Sequence, residues 1–186
     1  MSDEITLRHE HLPLYRVLHA GRRDPLDASG SLTGSRRWNT SAFPALYTCC
    51  SENTARAVAR DRLSVAATDL EELQVEARPV LFELEWKGEV VDVASEEGVR
   101  AAGLPTAYPV AIAHADTQAR ATDWHGIGRQ GVVCRSASLM RLGFSNWTAD
   151  HTSWGEVAVF VAITKSPVSL RRRRDDTAWF QHDATT

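Results

Sequence analysis

The stretch GSRRWNTSAFPALYTC, residues 34–49, joins an arginine-bearing polar turn to an apolar run, and the chain reads outward from that junction. Phe43–Cys49 reads as a strand. Upstream, Ala20 to Ser35 is rich in Gly, Ser, Asp and Arg without periodicity, which predicts a long surface loop of the functional kind. Before that loop, Leu14 to Leu18 alternates aromatic, charged and apolar side chains as a short strand does. Downstream, Ser51 is placed to cap a helix whose Ala55, Val58, Ala59 and Leu63 recur on one face.

Thr68 with Glu71 forms a capping-box pattern that predicts a second helix through about Glu76. Val80–Trp86 and Glu89–Ala94 read as strands joined by a turn at Lys87-Gly88. Ser95 opens a short helix, SEEGVRAA, which Gly103 and Pro105 end. Asp116–Trp124 reads as helical. Gly131–Arg135 and Glu156–Ile163 are late strands, the second β-branched and apolar almost throughout. Helices and strands interleave without a regular βαβ rhythm, so the expected class is α+β, a mixed split β-sheet with flanking helices. No repeat or low-complexity linker divides the chain. One domain over 1–186 is expected, with a core at about 12–165 and peripheral termini.

The 186 residues carry a net charge of −3, which gives the whole protein no drive toward nucleic acid or an anionic membrane. Any anion site is therefore local. No apolar run approaches a bilayer span of about 20 residues, and the charged N-terminus lacks the apolar core of a signal peptide. Three cysteines, Cys49, Cys50 and Cys134, suggest reduced buried thiols and a cytoplasmic home. The scattered histidines show no metal-ligand spacing, so no metal is expected. There is no G-x-G-x-x-G, P-loop, H-E-x-x-H or G-x-S-x-G. Trp124, Trp147 and Trp154 read as core or interface anchors, the latter compatible with a homodimer. Arg171–Arg174 reads as a solvated terminal face, with nucleic-acid docking the weaker alternative.

Four patterns fall in a fixed order: Tyr15-Arg16, then Arg36-Arg37-Trp38-Asn39, then Leu46-Tyr47, and far downstream Gly131–Ser136 (GVVCRS), whose Ser136 falls nineteen positions after Thr117 of the pair Thr117-Gln118. With Ser145-Asn146-Trp147 and the strand Val157–Val161, this set resembles the RES domain family. Its members look like relatives of ADP-ribosyltransferases and act as NAD-consuming toxins of toxin–antitoxin pairs. The resemblance implies an ADP-ribosyltransferase-like fold, NAD as substrate and a cognate antitoxin as partner. It assigns Arg16, Arg37, Tyr47, Asn39 and Ser136 to the dinucleotide, and Arg37, Ser136 and an acid to catalysis. The chemistry agrees with those residue types. Guanidinium forks suit pyrophosphate or ribose phosphate, and an electron-rich tyrosine face suits cationic nicotinamide. Nicotinamide departs as a neutral molecule, so the reaction needs a carboxylate that steadies an oxocarbenium-like state.

The chain departs from the family pattern twice. The position eleven after Tyr47, where the family carries glutamate, is Val58, and the proline expected before Ser136 is Arg135. Three readings follow: a shifted register brings Glu52 or Asp61 into the cleft, another carboxylate such as Glu156 substitutes, or the site binds without efficient turnover. Glu52 is the acid carried forward here. The leading expectation is an NAD glycohydrolase or ADP-ribosyl-transferring, phosphorylase-like enzyme. The alternative is a catalytically weak module that binds NAD or ADP-ribose.

Overall fold

In a computed structural model of the chain, residues 6–9, 13–22, 24–34, 36–66, 69–110, 112–144, 154–163, 167–175 and 178–181 are described. They form one eight-stranded sheet in the order β1-β5-β6-β7-β3-β2-β4-β8. The strands are β1 (Thr6–His9), β2 (Pro13–His19), β3 (Leu46–Cys49), β4 (Pro79–Glu85), β5 (Gly88–Val93), β6 (Gly131–Arg135), β7 (Gly155–Val159) and β8 (Ser169–Arg174). Only β5 and β6 run parallel; every other neighbouring pair is antiparallel. The sheet is mixed and the fold α+β, as the interleaving of elements predicted.

Six helices among the described residues flank it: α1 (Gly30–Thr33), α2 (Glu52–Ala66), α3 (Glu96–Ala101), α4 (His114–Gly126), α5 (Ala137–Arg141) and α6 (Ala178–Gln181). Strand alternation sorts the central residues between two clusters. Val91, Val93, Val132, Cys134, Ala158 and Phe160 pack with Ala121 and Trp124 of α4. Val90, Val133, Val157 and Val159 turn the other way, against Leu14, Phe82 and Trp86. A third cluster joins Ala55, Val58 and Ala59 of α2 to Val17, Cys49, Leu81 and Trp179.

The split lies between β2 and β3. Those strands share one register pair, Tyr15 with Cys49, whereas β2 and β4 are paired from Pro13–Glu85 through His19–Pro79. Ser51 caps α2 as its position suggested, its Oγ accepting the Thr54 N–H at 3.1 Å. One close approach requires glycine. A Cβ at Gly98, on α3, would meet the Asp92 carbonyl oxygen at 2.3 Å, so α3 lies tight against the end of β5.

Three expectations change. The helix predicted from Thr68 is two separate 3-10 turns, Leu70–Glu72 and Val75–Ala77, broken by extended Leu73 and Gln74. None of their residues is buried, so no apolar face existed to hold a longer helix. The loop from Ala20 contains the short α1. The strand expected to reach Ile163 ends at Val159. Arg171–Arg174 is the solvated face expected, with Arg171 to Arg173 exposed, and it also forms a strand paired with β4; the helix after it buries Trp179 completely. Of the core and interface readings of Trp124, the core one holds, at 5% exposure. Thr68 and the Ser145-Asn146-Trp147 pattern lie outside the described residues.

Candidate functional site

A cleft of about 680 Å³ opens at the split in the sheet, within the usual range for small-molecule sites. Arg16 of β2, Arg37 of the turn before β3 and Tyr47 of β3 all line it. The two guanidinium groups expected to converge therefore do so, on one cleft with the tyrosine.

Each is held by a traceable local cause. Arg16 donates to the carbonyls of Pro25 at 2.6 Å and Asp27 at 3.0 Å, folding the long loop over the β2 end of the cleft. Burial, then repulsion from Arg22, brings its pKa down to about 10, so it stays charged at neutral pH. Arg37 lies with its guanidinium 6.0 Å from the Tyr108 ring centre. Its Nε is buried and has no hydrogen-bond partner among the described residues. The turn that carries it is pinned from behind. The Gln118 amide donates to the Arg36 carbonyl at 2.7 Å, and Trp38 is buried against Trp124 and Tyr108.

Tyr47 is fixed at its tip. Its hydroxyl accepts from the Trp38 N–H at 2.9 Å and donates to Asn39 Oδ1 at 2.8 Å. Asn39 in turn donates to the carbonyls of Ser31 and Thr40. At 1% exposure and with its amide so engaged, Asn39 stands behind the cleft wall; it braces the turn, a correction to the ligand contact expected of it.

The carboxylates sort themselves clearly. Glu52, the acid carried forward from the sequence, is not among the residues that line the cleft. It bonds Arg56 at 3.2 Å and Arg174 at 2.7 Å, drawn away by an arginine of the unforeseen β8. Its catalytic assignment is corrected to that of a structural anchor. Asp61 does line the cleft but is occupied by Arg141, at 2.8 Å through Nε, and by the Ser138 hydroxyl at 2.8 Å. Those bonds, Arg141 first, hold its carboxyl below the usual range.

Glu156 remains. On β7 it is in register with Cys134 of β6 on one side and Cys49 of β3 on the other, which sets it in the middle of the sheet facing the cleft. Burial pushes its carboxyl above the ordinary carboxylate range; a hydrogen bond from Ser136 and the charges of Arg37, Arg62 and Arg141 oppose that rise. The Cys134 thiol beside it is pushed up to about 12, chiefly by burial, and is inert.

Ser136 is fully buried between β6 and α5 and is not among the residues that line the cleft, a correction to the dinucleotide contact expected of it. Its Oγ accepts the Leu139 N–H at 3.3 Å as the cap of α5, leaving its proton for Glu156. Arg135, where the family pattern has proline, is buried and donates to the carbonyls of Ala94 at 2.8 Å and Tyr108 at 3.4 Å. It is a structural pin. The contributions that motif reading missed are Arg62 and Arg141, while Gln118, read only as half of the Thr117-Gln118 pair, proves to brace the arginine turn. The only signal for the first two was helical spacing onto the Val58 side of α2 and the turn after Ser136.

A family model described as the RES domain matches residues 13–164. Among solved structures, a chain of the M. tuberculosis MbcT–MbcA toxin–antitoxin complex is similar in fold, with a TM-score of 0.69 and 21% sequence identity, covering 91% of this chain and 85% of that one. No curated protein matches the chain.

Proposed function

The chain belongs to the RES domain family, and on that premise we propose that its cleft binds NAD and cleaves the bond between nicotinamide and ribose. One observation carries the reading: Arg16, Arg37 and Tyr47 line the same cleft as a central carboxylate, Glu156, that Ser136 hydrogen-bonds.

The chemistry follows from that arrangement. Arg16 and Arg37 hold the phosphates of the dinucleotide, as charge-assisted forks do. Tyr47 offers a ring already fixed by Trp38 and Asn39, so little order is lost when nicotinamide stacks on it. As the C–N bond breaks, its electron pair stays on nicotinamide and positive charge grows on the ribose carbon. Ionised Glu156, in a low-dielectric site, stabilises that charge. Water or another acceptor then adds at the same carbon and loses its proton. Glu156 thus supplies the acid absent at Val58, which favours turnover over mere binding.

The test is release of free nicotinamide from NAD by the purified protein. Wild type is expected to release it, Glu156→Gln to lose at least 10²-fold in rate, and Arg37→Ala to raise KM. No release by wild type, or full activity in Glu156→Gln, would sink the proposal.

We further propose that the protein is the toxin of a toxin–antitoxin pair, its antitoxin inserting an acidic segment into the arginine-lined cleft. Expression in bacteria is then expected to deplete NAD and arrest growth, and Glu156→Gln to do neither.

A further inference from the structure

The cleft holds more positive charge than a pyrophosphate requires. Its lining residues include six arginines and three carboxylates, Asp27, Asp61 and Glu156, within a chain of net charge −3. The negative pyrophosphate of NAD is partly offset by its cationic nicotinamide, so NAD alone leaves this excess largely unmatched.

The surplus is not spread evenly. Arg16, Arg22 and Arg62 converge from β2, the loop after it and α2, and both neighbours repel the Arg16 charge. Arg22 is offset by Asp27 at 3.0 Å in a half-exposed pair. Arg62 donates one N–H to the Val17 carbonyl at 3.3 Å, a neutral acceptor, and its charge reaches Asp61 and Glu156 only through space. The α2 wall beside it repels no anion, because Val58 is apolar and Asp61 is closed off by Arg141 and Ser138. The three guanidinium groups, with Asp24 and Asp27 of the loop beside them, repel one another in the empty cleft, and an anionic ligand relieves that repulsion.

Resting on the proposed dinucleotide reading, we infer that Arg22 and Arg62, flanking Arg16, receive a phosphate monoester in addition to the pyrophosphate, so that the preferred substrate is the 2′-phosphorylated dinucleotide NADP. A monoester adds about 1.5 to 2 negative charges at neutral pH, which matches the surplus. An arginine beside the ribose is also the usual means of accepting a 2′-phosphate.

The experiment compares nicotinamide release from NADP and from NAD, with and without inorganic phosphate. Wild type is expected to show a kcat/KM for NADP at least tenfold above that for NAD, and Arg22→Gln with Arg62→Gln to bring the ratio to within about twofold. Equal or better use of NAD overturns the inference while leaving the proposed function standing. So does acceleration of NAD cleavage by inorganic phosphate without a preference for NADP, since the monoester site would then belong to the free ion. If neither dinucleotide is cleaved, the proposed function falls, and calorimetry with ADP-ribose and its 2′-phosphate decides this inference alone. At least tenfold tighter binding of the phosphorylated ligand, lost in the double variant, upholds it; equal affinities overturn it.

Discussion

At the scale of single residues, the site depends on which protons are held where. Glu156 acts as an anion, yet burial raises its pKa, so activity is present above that raised value and lost as pH falls through it. The Ser136 hydrogen bond lowers the pKa. Ser136→Ala is therefore expected to move the acid limb of the pH–rate profile to higher pH, an outcome that a purely structural serine would not produce. Tyr47 makes a stability prediction. Tyr47→Phe deprives the Trp38 N–H and Asn39 Oδ1 of their shared partner and is expected to cost about 1–3 kcal/mol in urea unfolding. The ring remains, so nicotinamide binding should weaken far less than in Tyr47→Ala. An undiminished unfolding midpoint in Tyr47→Phe would show that the brace is not needed.

At the scale of elements, α2 and α5 are locked together across the cleft by Asp61, Ser138 and Arg141. The Asp61 carboxyl is held below its ordinary value, so its contribution is complete above the unfolded pKa of about 3.9 and disappears as pH falls through the lower folded value. Asp61→Asn is expected to cost about 1–2 kcal/mol near neutral pH, kept modest by the half-exposed Arg141. The gap from wild type should close below about pH 4; a gap that persists there would assign the loss to packing. Gly98→Ala, with its Cβ driven into the Asp92 carbonyl, should destabilise by about 1–3 kcal/mol as α3 is pushed off β5. Elements with strong local signals were legible in the sequence: the capped α2, the successive strands β4 and β5, which pair with different neighbours, and the apolar β7. The 3-10 turns after residue 69 were not, because a capping pattern resembles a helix start whether or not an apolar face follows to bury it. Nor was β8, whose run of arginines has no strand signature and is held by pairing with β4. The same gap explains Glu52. Its partner Arg174 lies 122 residues away, and no local pattern reveals so distant an ion pair.

At the scale of the whole molecule, an acidic protein carries a basic cleft, so association with an anionic dinucleotide is electrostatically steered. Raising ionic strength from about 0.05 to 0.5 M is expected to increase KM several-fold while leaving kcat nearly constant; a flat KM would mean the arginines do not attract the substrate. Of the site, the arginines and the tyrosine were readable because they sit in an ordered motif. Glu156, named in the sequence only as one alternative beside Glu52 and Asp61, required the sheet to single it out, since the register of β3, β7 and β6 brings it between Cys49 and Cys134. The single residue pair that joins β2 to β3 has a mechanical consequence. The sheet is two stiff leaves sharing a narrow spine, and the angle between them can change with little breakage of the ladders inside either leaf. Deuterium uptake should therefore be fastest along the facing margins of those two strands, and a bound dinucleotide, by bridging the leaves, should slow it there more than anywhere else in the sheet.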